Sequence, residues 1–560
     1  MLQSRFPNFL QRPIYLIFLI YGILLFTGLG HFPLIDWDEN IYGAVSKSMY
    51  QNGEYFRLSV NNQLYTEKPP FIFWITSLSY HLLGISEFST RLQSVLSALT
   101  SFCFLYWFGK RHFSEKLATF WSLLYSSSLV PLFLSRTAYI DHWFNTFLLF
   151  SFCFIYEYHL KKSEAFKSRI LWILLASLSM GLSVLTKGPL GLFFPLASYF
   201  LLLLFERHFL LHWLDLIIGF LFFTLVIGVY YAPNLYLYGT ATIRGFYEFQ
   251  GMLLSKSLES HSGPWFYHFL IAPIGFFPWS ALIFIGFTKS NLKFLFSKKS
   301  EHQSFSILIG CWMTLLLLIF SIVQTKLPHY TSSLYLCLSF FGARLLSAND
   351  EKQIVLSKRM FYGISTLILF VFGLLFLLLP FIFEYLSSDL SFQRQYGKYN
   401  SESLGFLAAL PGLILLFGML SSVYWFNKNQ INRYILHIWL SSQLFLVSIS
   451  LFLAPFLIPL LQDKNLRLYD FAKEQGGIVA FYKYLSFYPM FYRDEPILIM
   501  GNYKFRDDSD SLSPELYSKL QKPLYLITTR NKILELPFLF NGRTFDIVKE
   551  DTDLILIRVK

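Results

Sequence analysis

PLIDWDENIYGAVSKSMYQNGEYFRLSVNNQLYTEKPPFIFW, Pro33 to Trp74, is the first long polar interruption in a chain that is otherwise mostly oily. It gathers Asp36, Asp38 and Glu39 and closes on Glu67-Lys68-Pro69-Pro70. Carboxylates in a membrane-dominated chain face water or perform a task, because hydrocarbon does not solvate them. The stretch follows an apolar run from Ile14 to about Phe32. It leads into FIFWITSLSYHLLG (71–84), which is too short to cross a bilayer alone. That segment reads as a helix lying at the interface or returning into a bundle. A carboxylate-rich loop between such runs predicts a membrane protein with a polar site at one face.

Composition agrees. Of 560 residues 54% are hydrophobic and 14% charged, with mean hydropathy +0.48; a soluble chain carries about 25% charged residues. Aromatics at 20% suit interfacial belts. The formal charge of +12 falls mainly in short loops, so positive-inside bias accounts for it and nucleic-acid binding is excluded. Cys103, Cys153, Cys311 and Cys337 all lie in predicted spans, which argues against a disulfide framework and against a cysteine zinc site. Arg5 and Arg12 precede the first apolar run, and no small-residue cleavage site follows it. It is expected to be a retained helix with a cytoplasmic N-terminus.

Hydropathy predicts thirteen spans, near 14–33, 90–108, 117–135, 142–160, 170–186, 189–205, 213–233, 265–287, 304–324, 328–346, 360–383, 404–426 and 434–459. With the N-terminus inside, the inner loops GKRHFSEK, KKSEAFKSR, ERHFLLHW, KSNLKFLFSKKSEHQ, ANDEKQIVLSKR and NKNQINR are rich in Lys and Arg. An odd span count puts the C-terminus outside. From residue 461 the composition changes: DKNLRLYDFAKEQGG predicts a helix with a Gly-Gly stop, and EPILIMGN, PLYLITT, FDIVKE and DLILIRV predict strands. The fold class expected is an all-α polytopic membrane domain over 1–460, with the loop 34–89 outside, plus a small extracytoplasmic α/β domain over 461–560. That domain shows no glycine-rich phosphate loop, no Ser-His-Asp pattern and no CxxC, so a lid or docking role is expected of it.

Under this topology the polar positions converge on the outer face as six groups from five loops: Asp36, Asp38, Glu39 and Tyr42; Glu67 and Lys68; Arg136 and Asp141; Thr186-Lys187-Gly188-Pro189; Glu259, His261 and the PWFY that follows; and Lys326-Leu327-Pro328-His329-Tyr330. Random scatter would divide them between the two faces.

The strings PLIDWDENIYGAVSKSM, YTEKPPFIFWITSLSYHLLGISEFSTRL, LTKGPLG, HSGPWFY and KLPHY resemble the bacterial lipid A aminoarabinose transferases. More broadly they resemble the polyprenyl-phosphate-sugar-dependent membrane glycosyltransferases related to protein O-mannosyltransferases, of GT-C type. The resemblance runs from about residue 30 to 345, and the C-terminal third matches in outline. Ile41 departs from it, standing where many relatives have an arginine.

The resemblance implies a bacterial inner-membrane enzyme with a periplasmic C-terminal domain. It would transfer one sugar from a polyprenyl-phosphate donor to a lipid acceptor such as lipid A, as a monomer and without a nucleotide cofactor. A protein acceptor is the alternative within the enzyme class. A transporter would need inverted repeats and midplane polar groups, and the sequence has neither.

Asp38 matches the family's first-loop aspartate, with Glu39 and Asp141 as further catalytic candidates. If the acceptor is a hydroxyl, Asp38 takes its proton. If it is a phosphate, Asp38 orients charge; Asp38 can also cap a helix that begins at Glu39. Lys68, Lys187, Lys326 and Tyr330, with Tyr42 close by, are candidates for the donor phosphate, whose charge grows as it leaves. For Lys187 and Lys326 the alternative is a lysine snorkelling at a span end. For Lys68 it is a loop charge paired with Glu67, and Asp141 can pair with Arg136. Glu67 and His261 match a metal pair in the aminoarabinose transferases and imply zinc, although two protein ligands do not close a site.

Overall fold

The computed structural model describes residues 13–207, 212–255, 262–297, 302–351, 358–387, 406–428, 430–493, 498–500, 522–536 and 544–560. Helix α1 (Pro13–Phe26) stops short of the predicted residue 33 and turns at Gly28. The first loop is itself folded. Helix α2 (Asp38–Asn52) ends at Gly53 in the left-handed region (φ 69°), and the hairpin β1 (Ser59–Val60) and β2 (Gln63–Leu64) leads to α3 (Phe71–Leu83).

Helix α4 (Glu87–His112) starts at a capping box in which Ser86 and Ser89 exchange side-chain and backbone bonds. Next come α5 (Glu115–Ser127), α6 (Leu129–Leu134), α7 (Asp141–Leu160), α8 (Phe166–Lys187), α9 (Leu190–Glu206), α10 (Trp213–Tyr238) and α11 (Ala241–Ser255). After them come α12 (Tyr267–Gly275), α13 (Ala281–Gly286), α14 (Lys289–Leu295), α15 (Gln303–Ile322), a 3-10 turn (Pro328–Thr331), α16 (Leu334–Asp350) and α17 (Lys358–Ser387). The helical part closes with α18 (Leu410–Asn427), α19 (Ile431–Ser448) and α20 (Ala454–Glu474).

The chain is a multi-pass membrane protein. Among the described residues seven helices are long and apolar enough to cross a membrane, and Ile14–Phe26, Phe71–Leu83 and Leu190–Glu206 are shorter apolar helices. Several of the thirteen expected spans are therefore not uninterrupted helices. The one expected over 117–135 breaks at Ser128, whose backbone is extended. The one over 265–287 divides into α12 and α13 around Pro278, which has no N–H to give a helix. The one at 328–346 begins as the 3-10 turn. Residue 461 lies inside α20, so no linker separates the two predicted domains there.

After α20 the chain turns at Gly476 (φ 71°), as the Gly-Gly stop predicts. It forms β3 (Ile478–Tyr482), α21 (Tyr488–Tyr492), β4 (Leu498–Met500), β5 (Leu524–Thr529), β6 (Phe545–Asp551) and β7 (Leu554–Val559). The sheet order is β4-β3-β5-β7-β6, parallel from β4 to β5 and antiparallel beyond. Strand β3 was not anticipated.

This domain docks on the first loop rather than standing apart. Ile41, Val45, Met49 and Phe73 share one buried core with Leu468, Phe481, Phe487 and Leu556. Polar bonds fix the register. The Gln462 amide donates to Leu34 O (2.6 Å), Asp36 N donates to Gln462 Oε1 (2.9 Å), and Lys47 Nζ donates to Phe491 O (2.8 Å).

Glu39 and Arg91, both buried, hold the loop against α4. The Arg91 guanidinium meets the carboxylate through Nε and Nη2, each at 2.9 Å, and its remaining donors reach the carbonyls of Leu29, Phe32 and Pro33. The same carboxylate accepts from Ile35 N (2.8 Å) and from Ala138 N. Removing one partner of such a buried pair costs roughly 3–5 kcal/mol. Glu39→Ala is therefore expected to lower the melting temperature of the detergent-purified protein and its membrane yield. Unchanged melting would show that the clamp does not hold the loop.

Candidate active site

A cavity of about 430 Å³ opens where the first loop, the starts or ends of α7 and α8, helix α11 and the 3-10 turn meet. It brings together Asp36, Asp38, Tyr42, Glu67, Lys68, Asp141, Lys187 and Tyr330 of the sequence candidates. Trp37, Tyr139, Phe249 and His329, to which the sequence reading assigned no role, line it too. Of these, His329 carried a faint signal inside KLPHY and Tyr139 stands two residues before Asp141; Phe249 carried none.

Asp38 is the first residue of α2. Trp37 occupies the cap position without a side-chain capping bond, so the capping role considered for Asp38 is not what the structure shows. Its Oδ2 lies 3.9 Å from His329 Nε2.

Asp141 opens α7 and Lys187 closes α8. The two helices pack as an antiparallel pair, which puts these residues side by side, and Lys187 Nζ donates to Asp141 Oδ1. The ammonium also faces the rings of Phe144 (5.4 Å) and Tyr330 (5.3 Å). Gly188 is required just beyond: its φ is +92°, and a Cβ there would meet the Phe246 ring at 2.5 Å.

Lys68 lies 5.1 Å from the Phe249 ring. Burial lowers its pKa from the usual lysine value, while Glu67 and Asp38 pull it back up. Tyr42 and Tyr139 are pushed well above the ordinary phenol value by burial first and by Asp38 second, so both stay protonated donors. Asp36 accepts from Ser486 Oγ (2.6 Å) and Phe487 N (3.2 Å), and burial pushes its carboxyl up to about 6. It ties the cavity to the C-terminal domain.

Three candidates have other employment. Glu39 is committed to Arg91 and does not line the cavity. Lys326 donates to the carbonyls of Phe320 (2.7 Å) and Ser321 (2.8 Å), closing the end of α15, and does not line the cavity either. Arg136 donates to the carbonyls of Leu24, Leu25 and Thr27 at the end of α1, so the pair considered with Asp141 is replaced by Lys187–Asp141. Glu259 and His261 lie outside the described residues. Among the described residues no group of three His, Cys, Asp or Glu side chains gathers as a metal site; Glu67 lines the cavity.

Two ammoniums beside carboxylates in a partly apolar cavity suit an anionic substrate whose charge grows during reaction, because fixed charges act strongly where water is scarce. Residues 67–231 match the family described as dolichyl-phosphate-mannose-protein mannosyltransferase. The structure is similar to crystal structures of ArnT from Cupriavidus metallidurans. For the apo state the TM-score is 0.74 at 18% identity, covering 97% of each chain. For the state bound to undecaprenyl phosphate it is 0.73 at 18% identity, covering 97% of this chain and 98% of that one.

This is an ArnT-like GT-C fold.

Among curated relatives, an uncharacterised protein of Aquifex aeolicus is 27% identical over 59% of this chain and 63% of its own length. The undecaprenyl phosphate-alpha-4-amino-4-deoxy-L-arabinose arabinosyl transferase of Wigglesworthia glossinidia brevipalpis is 26% identical over 64% of this chain and 63% of its own. The matched region thus spans less than two thirds of these relatives.

Within the ArnT-like fold, Lys187 ends α8 whereas Lys326 lies beyond α15 and folds back onto its last carbonyls, and only Lys187 reaches the cavity. A charge-assisted hydrogen bond contributes roughly 1.5–3 kcal/mol. Lys187→Met is therefore expected to weaken binding of an organic phosphate by about tenfold or more, whereas Lys326→Met lowers melting temperature and leaves binding within about twofold. Calorimetry checks both, and equal effects from the two variants would refute the distinction.

Proposed function

We propose that this chain is an integral-membrane glycosyltransferase that moves a single sugar from a polyprenyl-phosphate-linked donor to a lipid acceptor at the outer face of the bacterial inner membrane. The observation that carries the reading is the cavity in which Lys68 and Lys187 stand with Asp38, Asp141 and Tyr330. The names of the relatives support the reaction class, and the undecaprenyl phosphate bound to the neighbouring ArnT structure supports the donor class. A nucleotide-sugar donor fits less well, because such donors are cytoplasmic and the positive-inside pattern puts these residues on the other side.

The reaction is a direct displacement with inversion at the anomeric carbon. The acceptor oxygen bonds to C1 as the bond from C1 to the phosphate oxygen breaks, and that electron pair leaves with the lipid phosphate. Lys68 and Lys187 hold the growing negative charge. An ammonium has three donors, so Lys187 can keep its bond to Asp141 while meeting phosphate. Asp141 thereby aims Lys187 rather than competing with the substrate. Asp38 takes the proton of a hydroxyl acceptor, or orients a phosphate acceptor that is already ionised.

Asp38→Asn keeps the shape and removes the charge. It is expected to lower transfer by about 10²–10⁴-fold with unchanged melting. The assay is mass spectrometry of envelope lipids from cells lacking the protein and complemented with either form. A lipid that carries an extra sugar only with the wild-type protein identifies sugar and attachment point; sugar on protein instead would move the acceptor assignment.

Glu67 and His261 are also proposed as ligands of a divalent metal, zinc, which would supply fixed positive charge for an anionic substrate; no step above runs through it. Metal analysis is expected to find zinc in the purified wild-type protein and to lose it in Glu67→Ala. Wild-type protein without metal would end that assignment.

A further inference from the structure

His329 sits among the cavity's charges, and none of the roles above uses it. It rides on the 3-10 turn Pro328–Thr331, with Nε2 3.9 Å from Asp38 Oδ2. That distance is too long for a hydrogen bond, and catalytic contacts of this kind often tighten when substrate fills the site. The ring is held on edge against Tyr139 (5.1 Å) and Tyr330 (5.1 Å). Charged groups face it from four other segments: Asp38 on α2, Asp141 on α7, Lys68 on the first loop and Lys187 on α8. The titratable His268 of α12, which bonds Thr331 of the same turn, lies near it too.

We propose that His329 is a positioning residue that acts through Asp38. The neutral imidazole, donating from Nε2, aims the carboxylate at the acceptor; the imidazolium draws the same carboxylate into an ion pair and withdraws it from the acceptor. The proposal rests on the transferase reading and adds to it a switch on acidification. Burial holds His329 below the ordinary histidine value, Asp141 and Asp38 raise it, and Lys187 and Lys68 lower it again. The ring is therefore neutral near pH 7 and takes its proton only below the usual histidine range. Transfer should fall on that acidic limb. Asp36, pushed up to about 6, titrates in a neighbouring range, but its carboxylate contacts Ser486 and Phe487.

The test measures kcat and KM for a polyprenyl-phosphate-sugar donor across about pH 5–8 with the full chain in phospholipid. Glutamine donates a hydrogen bond as neutral histidine does and does not titrate. His329→Gln is expected to keep neutral-pH transfer within about tenfold and to lose the acidic limb. His329→Ala is expected to lower kcat by about 10²-fold with KM within about twofold. Asp36→Asn is expected to keep the limb. The same limb in His329→Gln as in the wild type, or a raised KM with kcat unchanged, overturns the proposal. His329→Asn, checked by melting, stands in if the glutamine variant does not fold. A wild-type chain that transfers nothing refutes the transferase reading first, and the role of His329 with it. Active wild type with an unaltered variant profile refutes only His329.

Discussion

A buried carboxylate cannot stay ionised among apolar helices unless its charge and its lone pairs are met, and the Glu39–Arg91 pair is where this fold meets that demand. One guanidinium spends two N–H groups on Glu39 and its others on three loop carbonyls. The backbone between Leu29 and Pro33 is therefore fixed by the same cation that fixes α2. The bond from Ala138 N to Glu39 brings in the segment just ahead of α7. One electrostatic knot thus sets the relative position of α2, α4 and α7. Asp38 and Asp141, the first residues of α2 and α7, inherit their places from it. The net contribution of such a pair over an apolar replacement is small; its consequence is geometric, since any other arrangement strands a charge.

The same rule extends outward with weaker stakes. Asp36 is tied to Ser486 and Phe487, so the C-terminal domain reaches the cavity through a neighbour of Asp38 in sequence. Three acidic residues in one short stretch thereby do three separate things: Asp36 docks a domain, Asp38 faces the cavity and Glu39 anchors the loop. A helical turn of 100° per residue sends Asp38 and Glu39 to different surroundings at the start of α2, and Asp36 lies in the turn just ahead of it.

That division marks the limit of what was legible in the sequence. Hydropathy located the helical stretches, and the convergence of polar loops located the cavity, because both depend on which residues avoid hydrocarbon. Partners are set by tertiary packing, which the pattern does not encode. Lys187 and Lys326 look alike as lysines at span ends; carbonyls lie within reach of one and Asp141 within reach of the other. Arg136 looked like a mate for Asp141 by proximity in sequence, yet it turns back to cap α1. Arg91 stood near the start of a predicted span, and a charged residue there is itself a signal that a buried partner exists. The helix breaks at Ser128 and around Pro278 were lost for a different reason: a window of apolar residues averages over a local change of backbone.

The cavity's charges also decide how a substrate with one anionic end can lie in it. Two like charges about 4 Å apart repel by about 4 kcal/mol at the effective dielectric of a protein surface. A donor phosphate against Asp38 is disfavoured on that scale unless a cation lies between, as an ionised acceptor there also requires, whereas near Lys68 and Lys187 it is favoured. Because Asp141 already compensates Lys187 and Glu67 acts on Lys68, both lysines hold phosphate chiefly through directed N–H bonds. A phosphate-linked sugar, the proposed donor, would thereby be turned with its phosphate on the lysines and its uncharged part toward Asp38. The repulsive element does as much of the orienting as the attractive one. On the proposed reading, the carboxylate that favours the acceptor's approach also rejects the reversed substrate, so its aim would matter as much as its charge.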